Sequence, residues 1–345
     1  MRPHPAASFI EPVAGADAGV AGPGRPDYRP PRWLRNPHLQ TIWPALVTGA
    51  PRVQYRRERW TTPDEDFIDL DWAVPGPGPG PGRPPLADGP LVALFHGLEG
   101  GSGSHYARAL MAALLAMGWR GVVIHWRGCS GEPNLLARAY HSGDSAEVDW
   151  IMRRLRPEFA AGVSLGANAL LKWLGEQGSE AGFLRAAASV SAPQDLHAGA
   201  IALSRGFNRV YCWNFMNTLK RKSARKLDRF PGLYERRRLL AVRDFFDFDD
   251  LVTAPLHGFD SALDYWTRSS CKQFLGGVAV PTLVLNARND PFLPEQALAR
   301  PSEVSRTVVL DYPPDGGHVG FVHGRLAGSI DWMPRRLTGF FRQFT

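Results

Sequence analysis

The stretch EFAAGVSLGANALLKWL, residues 158–174, decides how this chain is read. EFAAGVS runs as a short strand into Ser164, and GANALLKWLGEQ follows as a helix. Gly162, Ser164 and Gly166 form G-x-S-x-G, a weak pattern by itself in a chain with 36 glycines among 345 residues. The strand–turn–helix setting gives it meaning, because a sharp turn there lifts the serine side chain above a sheet. Larger residues at 162 or 166 would clash where strand and helix approach. The helix that follows directs its positive end at the oxygen of an attacked carbonyl. The competing reading, a serine that merely caps a helix, leaves this setting unexplained.

The same alternation extends in both directions. Upstream lie the strand LVALFHG (91–97), the helix SHYARALMAALLAMGW (104–119), the strand GVVIHWRG (121–128) and the helix DSAEVDWIMRRL (144–155). Downstream lie the strands LRAAASVSAP (184–193), VPTLVLNARND (280–290) and RTVVLDYP (306–313), and a closing helix, irregular around Pro334. Strands separated by helices predict a mostly parallel, doubly wound α/β sheet whose carboxyl ends share one edge, where ligands bind. In front of it, VQYRRERW and DFIDLDWAV read as a hairpin, with Ile68, Leu70, Trp72 and Val74 alternating against Asp69 and Asp71. Ordered structure is expected to begin near Val53. Residues 1–32 read as a flexible leader before one domain over 33–345, and the run PGPGPGPGRPP (75–85) as a surface loop. Between about 196 and 277 no strand signal appears, only helix-like pieces, which predicts a helical cap inserted between late strands.

A nucleophilic serine needs a base, and the base an orienting acid. In this architecture they follow in the order Ser, Asp or Glu, His, on loops after late strands. TLVLNARNDPFLP places Asp290 just beyond one strand, and VVLDYPPDGGHVGFV places His318 beyond the last. Asp195, in APQDL, is the rival orienter. For the oxyanion hole the backbone N–H groups of Leu165 and of Leu98, in FHGLEGGSGSHY, are selected, with Gly97 next. His96 reads as a brace of that loop. No G-x-x-x-x-G-K-[ST] is present and GLEGGSG does not match G-x-G-x-x-G, so phosphate cradling is not indicated.

The motifs RNPHLQTIWP (35–44), HGLEGGSGSHY (96–106), RGCSGEPN (127–134), YHSGD (140–144), GVSLGAN (162–168), ARNDPFLP (287–294) and GGHVGF (316–321) occur in the order of the YheT-like branch of the α/β-hydrolases, which the chain resembles over residues 33–343. That branch includes fungal medium-chain ester synthases and animal lipid hydrolases. The resemblance implies an α/β-hydrolase fold, carboxylic-ester chemistry and a triad on Ser164, Asp290 and His318. Asn289 stands where an acidic residue is common in the family. Within these motifs Cys129 reads as packing and His141 as a structural hydrogen-bonding residue, while PHLQT is placed near the cap without an assigned role.

Forty basic against 33 acidic residues leave a net charge of +7, a mild excess, and no nucleic-acid reading motif accompanies it. Cys129, Cys212 and Cys271 are widely spaced and suggest neither a disulfide framework nor a zinc site. No segment approaches the roughly 18 apolar residues of a membrane span, and the expectation is a cytoplasmic protein without metal or cofactor. In the cap, Phe207, Tyr211 and Phe215 recur at helical spacing and are expected to wall a pocket for an apolar acyl chain. KRKSARK (220–226) and RRR (236–238) read as solvated helix faces, with docking at anionic membranes the less favoured use, so that peripheral contact is the most expected of a membrane. The functional expectation is a serine carboxylesterase acting on short- to medium-chain acyl esters or lipids, with oligomeric state left open. Acyl transfer to an alcohol is the runner-up; the H-x-x-x-x-D motif credited to some relatives is missing. A non-catalytic binding protein would have no need of all three triad residues.

Overall fold

The computed structural model describes residues 27–76, 88–325 and 327–345. Most of the expected leader and residues 77–85 of the Pro-Gly loop lie outside the described residues. Eight strands form one sheet: β1 (Gln54–Thr61), β2 (Phe67–Val74), β3 (Leu91–Phe95), β4 (Arg120–Ile124), β5 (Phe159–Val163), β6 (Ala186–Val190), β7 (Thr282–Leu285) and β8 (Val308–Asp311). Their order is β1-β2-β4-β3-β5-β6-β7-β8. β1 and β2 pair antiparallel, as do β2 and β4, and every later pairing is parallel.

The helices are α1 (Pro37–Leu46), α2 (His105–Ala116), α3 (Ser145–Leu155), α4 (Leu165–Gln177), α5 (Leu196–Leu203), α6 (Asn208–Arg229), α7 (Arg236–Ala241), α8 (Phe245–Phe248), α9 (Ala254–His257), α10 (Ala262–Ser269) and α11 (Trp332–Phe341). α3 and α4 cover one face of the sheet, burying Val148, Ile151, Leu170 and Trp173 against Ala93, Phe95 and Ile124. α2 and α11 cover the other, burying Leu110, Met111, Leu337 and Phe341 against Val92, Leu94 and Val123. Alternate residues of β3 therefore enter different cores, and the strand is apolar throughout because both of its faces are dry. α5 to α10 all fall between β6 and β7.

One finding differs from the sequence reading and another goes beyond it. Order does not begin near Val53: α1 precedes it, started by Asn36, whose side chain accepts from His38 N and Leu39 N, and by Pro37 in the first turn. The alternating aspartates of β2 are buried in pairs with β1. Asp69 and Asp71 are buried and stand directly opposite Arg59 and Arg57 of β1. Arg57 donates twice to Asp71 at 2.7 and 2.9 Å, Ser102 Oγ donates at 2.6 Å, and His125 Nε2 lies 2.9 Å away. These bonds tie the hairpin to the loop after β3.

Burial works against the Asp71 carboxylate, but its hydrogen bonds from Arg57, His125 and Ser102 outweigh that cost and hold its pKa far below the usual range. A depressed folded-state pKa gives stability that is present above the unfolded value and lost as pH falls. The melting temperature of Asp71→Asn should accordingly fall well below wild type at pH 7, with the gap closing as pH is lowered from about 5 towards 2. A gap independent of pH would contradict this.

Candidate active site

Ser164 sits between β5 and α4 with φ 52° and ψ −119°, a strained conformation for a residue with a Cβ. The turn is this tight because its neighbours lack side chains. A Cβ on Gly162 would lie 2.6 Å from Ala167 Cα, and one on Gly166 2.4 Å from the carbonyl oxygen of Phe95. The Ser164 N–H donates to Val190 O at 2.9 Å, and its carbonyl accepts from Asn168 N at 3.0 Å. The backbone is anchored on both sides and the hydroxyl stands free of it.

His318 Nε2 lies 2.9 Å from Ser164 Oγ, and His318 Nδ1 lies 2.9 Å from Asp290 Oδ2. The other Asp290 oxygen accepts from Phe292 N at 2.8 Å, which fixes the carboxylate's orientation. The Phe292 ring stacks on the imidazole at a centroid distance of 4.1 Å. Asp195 is not part of this chain of bonds; it caps α5 by accepting from Ala198 N at 2.9 Å.

The histidine loop is held from a direction that the sequence reading left open. Thr41 Oγ1, on α1, accepts from His318 N at 3.0 Å and donates to Pro37 O at 2.8 Å. The buried Gln40 side chain accepts from Gly316 N at 2.8 Å and from Asn289 Nδ2 at 2.9 Å, and donates to Leu34 O at 2.8 Å. Asn289 Oδ1 accepts from Gly317 N at 3.0 Å, and Asn289 Nδ2 also donates to Asp315 at 3.0 Å. A carboxylate at position 289 could accept from Gly317 but could not donate to Gln40 or Asp315, so the amide fits this chain's network. Gly317, at φ 59°, lies so close to α1 that a Cβ would meet Thr41 Oγ1 at 2.8 Å. The PHLQT segment thus clamps the loop that carries His318.

The Gly97 N–H is already donated to Tyr106 Oη at 2.9 Å. Among the described residues the N–H groups of Leu98 and Leu165 have no protein acceptor. Leu98 and Leu165 line one cavity of about 470 Å³ together with Ser164 and His318. His96 is fully buried, its Nδ1 2.7 Å from Gly97 O, and burial pushes its pKa down to about 3, so it braces the loop as a neutral ring. His141 is likewise pushed down to about 3 by burial, and accepts from Gly143 N at 3.2 Å. Cys129 lines the cavity, and burial raises its thiol to about 11. Among the described residues no cluster of three or more His, Cys, Asp or Glu side chains could hold a metal.

The cap contributes differently from expectation. Phe215 lines the cavity, with Phe245, Phe248, Val252 and Trp266. Phe207 and Tyr211 do not: Phe207 is half exposed against His38, and Tyr211 packs on Phe292 at 4.8 Å. The KRKSARK run is only partly a solvated face. Lys222 donates to Glu99 at 2.9 Å, beside the Cys129 sulfur at 3.6 Å. Lys226 donates to Asn134 Oδ1, Leu136 O and Arg138 O, and burial lowers its pKa to about 8. Lys222, Lys226 and Arg229 share a helical face with Phe215 and Leu219, a spacing visible in the sequence.

Residues 90–324 match the family described as the alpha/beta hydrolase fold. YheT of Escherichia coli (strain K12), an esterase by name, is 39% identical over 320 residues, which cover 90% of this chain and 92% of that one. The phospholipase ABHD3 of Mus musculus is 30% identical over 327 residues, covering 92% and 77%. An esterase of Pyrococcus furiosus superposes with a TM-score of 0.50 at 15% identity, covering 86% of this chain and 97% of that one, a likeness of fold alone.

Proposed function

The chain belongs to the α/β-hydrolase family, in its YheT-like branch, and on that premise we propose that it is a serine carboxylesterase of short- to medium-chain acyl esters. The observation that carries the reading is the unbroken Ser164–His318–Asp290 chain, with both contacts at 2.9 Å. His318 Nε2 takes the Oγ proton as Ser164 attacks the ester carbonyl, and Asp290 holds the imidazole in the tautomer that can accept it. The N–H groups of Leu98 and Leu165 receive the oxyanion, and their freedom from protein acceptors supports this role. The proton passes to the departing alkoxide, leaving an acyl-enzyme. Water, activated by the same histidine, then releases the acid. A cavity of about 470 Å³ with Phe215, Phe245 and Trp266 in its wall suits a small apolar acyl group.

A panel of p-nitrophenyl esters of increasing chain length, each with and without added ethanol, tests the reading. Free acid as the main product in both conditions, with the highest kcat/KM at short to medium chains, is the expected result. Ethyl ester formed in place of acid would indicate acyl transfer, and no turnover of any ester would overturn the proposal.

The clamp from α1 has its own consequence. Thr41→Val leaves the His318 N–H without its acceptor and should lower kcat roughly 10- to 100-fold through misplacement of the imidazole, with KM little changed. Thr41→Ser, which keeps the oxygen, should restore most of the rate. Equal rates for Val and Ser would show that the hydroxyl does not position the loop.

A further inference from the structure

Two helices present apolar side chains to solvent, and they meet. On α6, Val210 is 52% exposed and Trp213 65%, next to Phe207 at 50%. On α1, Leu39 is 47% exposed and Leu46 78%. The His38 ring joins the two, 4.6 Å from Phe207 and 5.9 Å from Tyr211. Single exposed apolar residues need no explanation, but a contiguous group on adjoining helices marks a contact surface.

The two segments that build this surface carry charge of one sign. Residues 28–57 and 196–227 contain no Asp or Glu. Among their basic residues Arg32, Arg35, Arg205, Arg209, Arg221 and Arg225 are exposed, and none pairs with a carboxylate among the described residues. Arg225 also lines the cavity, so the outward face of α6 borders the route to Ser164. An exposed Trp and aliphatic residues on segments that carry unpaired arginines and no acidic side chain suit the boundary of an anionic bilayer, where the ring and apolar chains enter the acyl region and the guanidinium groups meet phosphates. A second copy of the chain is a poorer occupant, since a two-fold contact would set arginine against arginine.

We propose that the outward faces of α1 and α6 dock the protein on anionic phospholipid surfaces. The contact does not depend on Ser164 chemistry and brings the cavity beside the lipid. Sedimentation of the full chain with vesicles of phosphatidylcholine alone, or with about one third phosphatidylglycerol, tests it. Binding should occur to the anionic vesicles only and weaken in high salt. Arg205→Ala/Arg209→Ala should lower it roughly 30-fold, and Val210→Ser/Trp213→Ser should lower it at least tenfold, while both variants keep wild-type hydrolysis of a soluble p-nitrophenyl ester. Ser164→Ala should bind like wild type, which separates docking from the catalytic reading. Equal binding to both vesicle types, no binding at all, or variants that bind as wild type would overturn the proposal. So would a wild-type dimer that Val210→Ser/Trp213→Ser converts to monomer without any vesicle binding, because the face would then join two copies.

Discussion

Ser164→Ala should lower kcat for ester hydrolysis by roughly 10⁴-fold or more while the protein remains folded. The substitution removes the atom that forms the acyl bond and nothing that holds the turn together. The backbone there is fixed by the N–H to Val190 O, by the Asn168 N–H to the Ser164 carbonyl, and by the close approaches at Gly162 and Gly166. Alanine has the same Cβ, so the strain at φ 52° is unchanged and the melting temperature should stay near wild type. The rate that remains comes from the oxyanion donors and from substrate binding. A variant that melts normally and hydrolyses within tenfold of wild type would remove Ser164 from the reaction.

Asp290→Asn should cost roughly 10⁴-fold in kcat for a different reason. The carboxylate accepts from Phe292 N with one oxygen and faces His318 Nδ1 with the other. An amide nitrogen turned to the ring would donate to Nδ1 and move the imidazole proton to Nε2, which could then no longer accept from Ser164. The site would keep its shape and lose its base. The contrast is Asp195→Asn. That side chain only caps α5, where asparagine serves as well, and kcat should stay within about twofold of wild type. Measured kcat on one ester for the two variants decides between the carboxylates.

The parts of this site that were legible in the sequence are those carried by local chemistry. Gly162-x-Ser164-x-Gly166 between a strand and a helix, Asp290 ahead of Pro291 after a strand, and His318 behind two glycines each sit within a few residues of the element that places them. The unread parts depend on what the fold brings from elsewhere. α1 goes unread because Pro37 and Pro44 interrupt its pattern, although Asn36-Pro37 is a helix-start signal. Its purpose could not be read at all, since Gln40 and Thr41 act on residues nearly 280 positions away. Lys222 and Lys226 read as solvated because lysine usually is, yet Glu99 and the carbonyls of Leu136 and Arg138 satisfy them inside. The alternation of β2 leaves the surroundings of Asp69 and Asp71 open, and the opposing arginines of β1 let them be buried. For α1 and the two lysines the decisive partner is distant in the chain, and for the aspartates it is on the paired strand.

The central claim is that Ser164 becomes acylated, and a fluorophosphonate reaches it most directly. After incubation with the probe and digestion, mass spectrometry should locate one adduct on the peptide that carries Ser164, with no adduct on Ser164→Ala and strongly slowed labelling of His318→Ala. No labelling of the wild-type protein, or labelling that persists in Ser164→Ala, would contradict the account.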